Sequence, residues 1–244
     1  MGLSDLFGLF GGGGSFKKHV ERASDRRAQA LDRMASIEFL VADGSPEAVA
    51  ALLKRFRFHI DPSITDEEEM DRAFRGIVAL GEDALEPIRR YARSAENLVW
   101  PLKMLDEMLE EESYIGEILD ILSHFDTDYE RDPQRKIDLL SLLEEHADAR
   151  IAEAASRFLE DANETVRFHA AGAVLHQADE AATREPLLAH LVKEESVRIR
   201  NRILDGFAGL GWGVQGQRAE VEKLLPKGYA IDRAGLVKVP VRGK

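Results

Sequence analysis

The tightest constraint on this chain is a helical pattern that returns every 31 residues in its second half. Lys136, Arg167 and Arg198 stand 31 apart, as do Leu139, Ala170 and Asn201, and again Leu142, Ala173 and Leu204. Four positions before the three cations are capping-type residues, Asp132, Asn163 and Glu194. A fixed period of a few tens of residues, with helical apolar spacing inside it, marks an array of stacked helix pairs. One pair cannot bury its own apolar face, so neighbours must stack to make a continuous core. The pattern predicts an all-α array, and arrays of this kind work mainly by holding something along their surface.

Composition is brought in to exclude. The 244 residues contain no cysteine, which removes disulfides, thiolate zinc sites and cysteine nucleophiles. No apolar run approaches the roughly 18 residues that span a bilayer. No basic region followed by an apolar core opens the sequence, so a secretory signal is not expected and the cytoplasm is the expected location. Leu6 stands where a myristoylation signal prefers Ser or Thr.

The net charge of -12 is unevenly spread. Residues 43–162 carry 14 basic and 30 acidic side chains, whereas 163–218 balance at 7 and 7. The acidic middle would repel a phosphate backbone, which argues against nucleic acid as a partner. Acidic faces that keep a long helical array soluble explain the same excess.

Four segments follow from the pattern. Residues 1–14 read as a flexible apolar segment with a glycine linker, in which Leu3, Leu6, Phe7 and Phe10 precede Gly11 to Gly14. This segment suits docking to a partner groove or peripheral contact with a membrane through residues 1–10, or is a tail outside the core. Residues 15–42 read as one long N-terminal helix, 43–226 as the repeat domain and 227–244 as a short C-terminal β-hairpin and tail. Ser45-Pro46-Glu47 starts a helix, with a cap, a proline at the first helical position and an acid in the first turn. Thr65 and Glu68 form a capping box for the next. Further helices are predicted near 82–94, 97–111, 113–125, 133–146, 148–161, 163–178, 180–193 and 195–210, with short connections. Tyr229 to Val241 alternates apolar and polar residues around Asp232-Arg233-Ala234-Gly235, as a hairpin does.

Val166-Arg167 followed by Ala170, Ala171, Val174 and Leu175 resembles the second helix of a HEAT repeat, and Val197-Arg198 repeats its opening. The first-helix pattern, proline and then aliphatics, occurs as Glu86-Pro87-Ile88 and as Glu185-Pro186-Leu187-Leu188. The short period is similar to bacterial HEAT-like repeats, which include phycobilin lyases and many adaptors. The resemblance covers about 80–210, is weaker over 43–80 and is absent from both tails. It implies an α-solenoid of antiparallel helix pairs with a structural role for Lys136, Arg167 and Arg198. Asp132–Lys136 and Glu194–Arg198 also have the spacing of i,i+4 helix pairs.

Catalytic motifs are weak. Gly211-Trp212-Gly213-Val214-Gln215-Gly216 has the letters of a dinucleotide loop, but a helix precedes it where a strand is required. It reads instead as the exit from the last repeat, with Trp212 capping the core. Asp126 to Glu130 begins like a calcium loop and fails at Arg131 and Ile137. His169 and His176 share a helix face at roughly 10 Å, too far apart for one metal.

The expected function is therefore a non-catalytic protein–protein interaction adaptor or scaffold, binding another protein or peptide and needing no cofactor and no metal. The alternatives are a ligand-handling enzyme of the phycobilin-lyase type and, third, a HEAT-like nucleic-acid-binding protein. Second helices would line the binding ridge, placing Asp138, His169 and Arg200 in one row and Leu140, Ala171 and Arg202 in another. Asp138, His169, Arg200 and Arg202 are the candidate partner-binding residues there.

Overall fold

The computed structural model describes residues 12–240, which contain thirteen α-helices and one two-stranded antiparallel sheet. Contacts divide the chain into two compact units, Met1–Tyr114 and Ile115–Lys244. The segment of Leu3, Leu6, Phe7 and Phe10 lies outside the described residues.

The first unit holds α1 (Gly12–Ala23), α2 (Ala30–Asp43), α3 (Pro46–Leu53), α4 (Ser63–Val78), α5 (Glu82–Ser94) and α6 (Val99–Met108). Helix α7 (Glu111–Ser123) contains the division. Helix α2 packs beside α4 and α4 beside α6, while α3 packs beside α5. Even and odd helices thus form separate rows. Close approach within the even row depends on Gly76, since a Cβ there would sit 2.4 Å from Val41 Cγ2.

The predicted single helix over 15–42 is in fact two. Ser24 Oγ donates to Val20 O, and Asp25 Oδ1 accepts from the Arg27 amide. Short polar side chains that bond their own backbone compete with the helix, and they end α1 here. Three residues of the expected glycine linker, Gly12 to Gly14, belong to α1. Ser45 caps α3 by accepting from the Ala48 amide, as expected. The capping box at Thr65 does not form: α4 starts at Ser63, and the amides of Thr65 and Asp66 bond to Pro62 O.

The second unit holds α8 (Gln134–Leu143), α9 (Ala149–Ser156), α10 (Glu164–His176), α11 (Glu180–Lys193), α12 (Val197–Leu210) and α13 (Arg218–Leu224). The rows recur: α8, α10 and α12 lie side by side, as do α9, α11 and α13. Ala170, Ala171 and Ala173 are fully buried, and their small size lets α10 pack closely between α8 and α12. Helix α13 has no counterpart in the sequence reading.

Strands β1 (Ala230–Ile231) and β2 (Val237–Lys238) form the expected hairpin. Asp232 Oδ1 shapes its turn by accepting from the amides of Ala234 and Leu236. The hairpin packs on α12 through β2, and Tyr229 donates to Asp205 at 2.7 Å. Trp212 is buried edge-on to Phe207 at 5.7 Å, so it does close the end of this core. Arg218 reaches the carbonyls of Ile231 and Asp232, occupying acceptors that a partner strand would need. No helix among the described residues is long and apolar enough to cross a membrane.

Candidate functional site

The even row of the second unit carries an ion-pair ladder. Lys136 on α8 is 1% exposed, and its Nζ donates to Asp161 Oδ2 at 2.7 Å. Arg167 on α10 donates to both oxygens of Glu194, at 2.8 and 3.0 Å. Asp161 and Glu194 occupy the same place in successive repeats, two residues before the helix starts at Asn163 and Ser196. Each acid also accepts the amide of that start residue, at 2.8 Å for Asn163 and 2.7 Å for Ser196.

The predicted i,i+4 pairs are therefore replaced by pairs between successive repeats. A carboxylate already fixed by a backbone amide is a better-organised partner for a cation than a free neighbour on the same helix. Burial alone would push the Glu194 carboxyl up. The hydrogen bonds from Arg167 and the Ser196 amide, with the Arg167 charge, outweigh burial and hold it at about 2.

Beside the ladder lies a second constellation, drawn from three even helices. Asn163 caps α10 through two amides, which sets Phe168 and His169 on its second turn. Glu144 ends α8, and one of its oxygens lies 2.6 Å from His169 Nδ1 while the other accepts from Arg202 on α12. Arg202 passes over Gly172, where an added Cβ would collide with the guanidinium. Phe168 underlies two cations, with Arg198 Cζ 3.6 Å and Arg202 Cζ 4.0 Å from its ring centroid. The side chains of Glu144, Phe168, His169, Arg198 and Arg202 all keep some exposure to solvent, whereas Gly172 is buried beneath them.

Of the sequence-predicted residues, His169 and Arg202 belong to this constellation. Asp138 accepts from Gln134 one turn away on its own helix and has no contact with His169. Arg200, two residues from both Arg198 and Arg202, lies about 200° around α12 from each. There its Nε is buried without a hydrogen-bond partner. Leu140 and Ala171, the register equivalents of Arg202, are fully buried. Equal register does not give equal environment, because the three helices meet different neighbours.

Phe168, Glu144 and Arg198 were not singled out as binding residues. Their signal was available: Phe168 and His169 are adjacent on α10, and Arg198 and Arg202 have i,i+4 spacing on α12. The first unit has a related feature on its own even row. Lys103 Nζ lies 5.2 Å from the Phe74 centroid and 5.4 Å from that of Trp100. Its odd row offers a groove of about 440 Å³ between α3 and α5, where Arg57 sits 5.2 Å from the Tyr91 centroid. Acids and bases alternate around this groove, so it presents no single charge to a ligand.

Among the described residues, no group of three or more His, Asp or Glu is placed to hold a metal ion. No protein-family model matches the chain, and no match is found among curated proteins.

Proposed function

We propose that the chain is a HEAT-like α-solenoid adaptor, which binds another protein or peptide along its even-helix rows and performs no catalysis. The observation that carries the reading is the constellation of Glu144, Phe168, His169, Arg198 and Arg202, assembled from three successive even helices. Its ring and guanidinium groups are the chemistry enriched at the centres of protein interfaces. Phe74 and Trp100 supply aromatic rings, with Lys103 over both, on the even row of the first unit. The repeat period and the separate packing of even and odd helices support the HEAT-like assignment. That assignment rests on architecture, whereas the binding role rests on these side chains.

The test is affinity capture from source-cell lysate with the full chain and with a variant carrying Lys103→Glu and His169→Ala. Both substitutions are at partly exposed positions and should leave the helical signal unchanged. The expected result is loss of one or more retained proteins from the variant. An identical retained set would overturn the even rows as the binding surface.

A further inference from the structure

The ladder of the second unit has three cations and two acids. Lys136 takes Asp161 and Arg167 takes Glu194, each acid standing two residues before a helix start. Arg198 is the next cation, 31 residues after Arg167, yet no described residue offers its guanidinium a carboxylate or carbonyl acceptor. It is an exposed residue whose charged group lies on the Phe168 ring at 3.6 Å. The rung acids stand 25 and 27 residues after their cations, and the same distance after Arg198 the chain has Lys223, Leu224 and Leu225, none of them a carboxylate.

We propose that Arg198 is an open rung, and that it takes an Asp or Glu carboxylate from an acidic segment of a partner polypeptide. This inference rests on the protein-binding reading and names the chemistry of one contact within it. A guanidinium matches a carboxylate with two parallel N–H···O bonds, as Arg167 does with Glu194. Stacking on Phe168 holds the fork in place before a partner arrives, which lowers the ordering cost of binding. Arg202 places a second cation over the same ring, and its one carboxylate, Glu144, is shared with His169. At the Phe168 ring two guanidiniums stand against one carboxylate, so an acidic group is both attracted and oriented there. The ladder also specifies the ligand's form: an acid two residues ahead of a helix start, as in Asp161-Ala162-Asn163.

The probe is a fluorescein-labelled peptide with the sequence of residues 158–166, followed by fluorescence anisotropy at low salt. Saturable binding is expected, weakened at least about tenfold by Arg198→Gln in the protein. A similar loss is expected when the peptide's Asp161 is replaced by Asn. Arg198→Lys keeps the charge but not the fork and should give intermediate binding. Thermal melts of the variants should shift by no more than a few degrees from the parent, because the open rung holds no internal carboxylate and only its stacking on Phe168 is lost.

Equal binding by parent and Arg198→Gln would overturn the proposal. So would the absence of saturable binding up to about 1 mM peptide. Self-association of the parent that Arg198→Gln abolishes would also overturn it, by making a second copy the source of the acid. The two readings can fail separately. If Lys103→Glu with His169→Ala loses captured proteins while the peptide ignores Arg198, only the carboxylate contact falls. If capture is unchanged by that variant, the even rows fall as the binding surface.

Discussion

The two units bury charge in opposite ways. In the first, four charged side chains meet at one point: Glu69 Oε2 accepts from Arg33 at 2.7 Å and from Arg55 at 2.8 Å, and Arg55 also donates to Asp66 at 2.5 Å. Arg55 and Glu69 are 0% exposed. His59 and the Ile60 amide complete the acceptors of Asp66, while the second Glu69 oxygen stays buried and unpaired. In the second unit the same chemistry is dealt out in pairs, one per repeat. A knot closes on itself and depends on every member. A ladder fails rung by rung, and this one ends at Arg198, whose guanidinium lies on a ring instead of a carboxylate.

The knot should break hardest. Glu69→Gln removes the anion between two buried guanidiniums, and we expect a loss of about 3–5 kcal/mol. Trp100 lies in the first unit and Trp212 in the second. Urea unfolding of Trp212→Phe and Trp100→Phe backgrounds therefore reads each unit by itself. The Trp100 signal should move to lower urea, and a wild-type midpoint would mean that the knot contributes nothing. Lys136→Met keeps the volume of the side chain but leaves Asp161 buried without its cation. We expect about 3 kcal/mol in the Trp212 signal, partly recovered when Asp161→Asn is added. Equal losses with no recovery would show packing, not charge, to be the cause.

This contrast also explains what could be read from the sequence. Repetition made the second unit legible: Arg167 and Arg198 revealed the period, and α11 runs over the predicted 180–193 to the residue. Helix α5, with a glycine before it and two acids in its first turn, was equally clear. The partners of the cations were not legible, because Lys136–Asp161 and Arg167–Glu194 span 25 and 27 residues and local spacing offered nearer acids. The knot was invisible for the same reason. It joins Arg33 to Glu69 across 36 residues and occurs once, so no period announces it. At the candidate site, register put His169 with Arg200 in one row and Arg202 in another. Instead, Glu144 joins His169 to Arg202 and the helix turns Arg200 away, since a 31-residue period matches positions and not the neighbours that each helix meets.

The ladder's pH response should be gentler than these losses at neutral pH. An acid whose folded pKa is depressed stabilises the fold above its ordinary value, and that stability disappears as pH falls through the folded value. Glu194, ordinarily 4.5 and held at about 2, should cost the second unit about 3 kcal/mol between those limits and nothing above them. Burial also lowers His190, whose Nε2 lies 2.8 Å from Glu194, against the opposing pull of Glu194 and Glu160. Below its ordinary 6.5 the unfolded chain takes up that proton more readily, so the loss begins earlier and deepens. Melts of the Trp100→Phe protein from pH 7 to 3 should fall progressively, and Glu194→Gln should flatten the portion below 4.5. A profile unchanged by that substitution would remove the rung from the acid response.

The smallest effect comes from a pair that looks like a rung and is not buried. Arg72 holds Glu38 through both oxygens, at 2.6 and 2.7 Å, the same fork that joins Arg167 to Glu194. The partners differ in exposure: Glu38 is 50% exposed through its side chain, and Glu194 only 1%. Solvent can replace what Arg72 offers to Glu38, whereas nothing replaces Arg167 around Glu194. Glu38→Gln should therefore cost under about 1 kcal/mol in the Trp100 signal, less still at high salt. If it cost as much as Glu194→Gln at neutral pH, burial would not be what gives these forks their strength. Length and geometry would then suffice, and the open fork at Arg198 would need no desolvation to hold its acid.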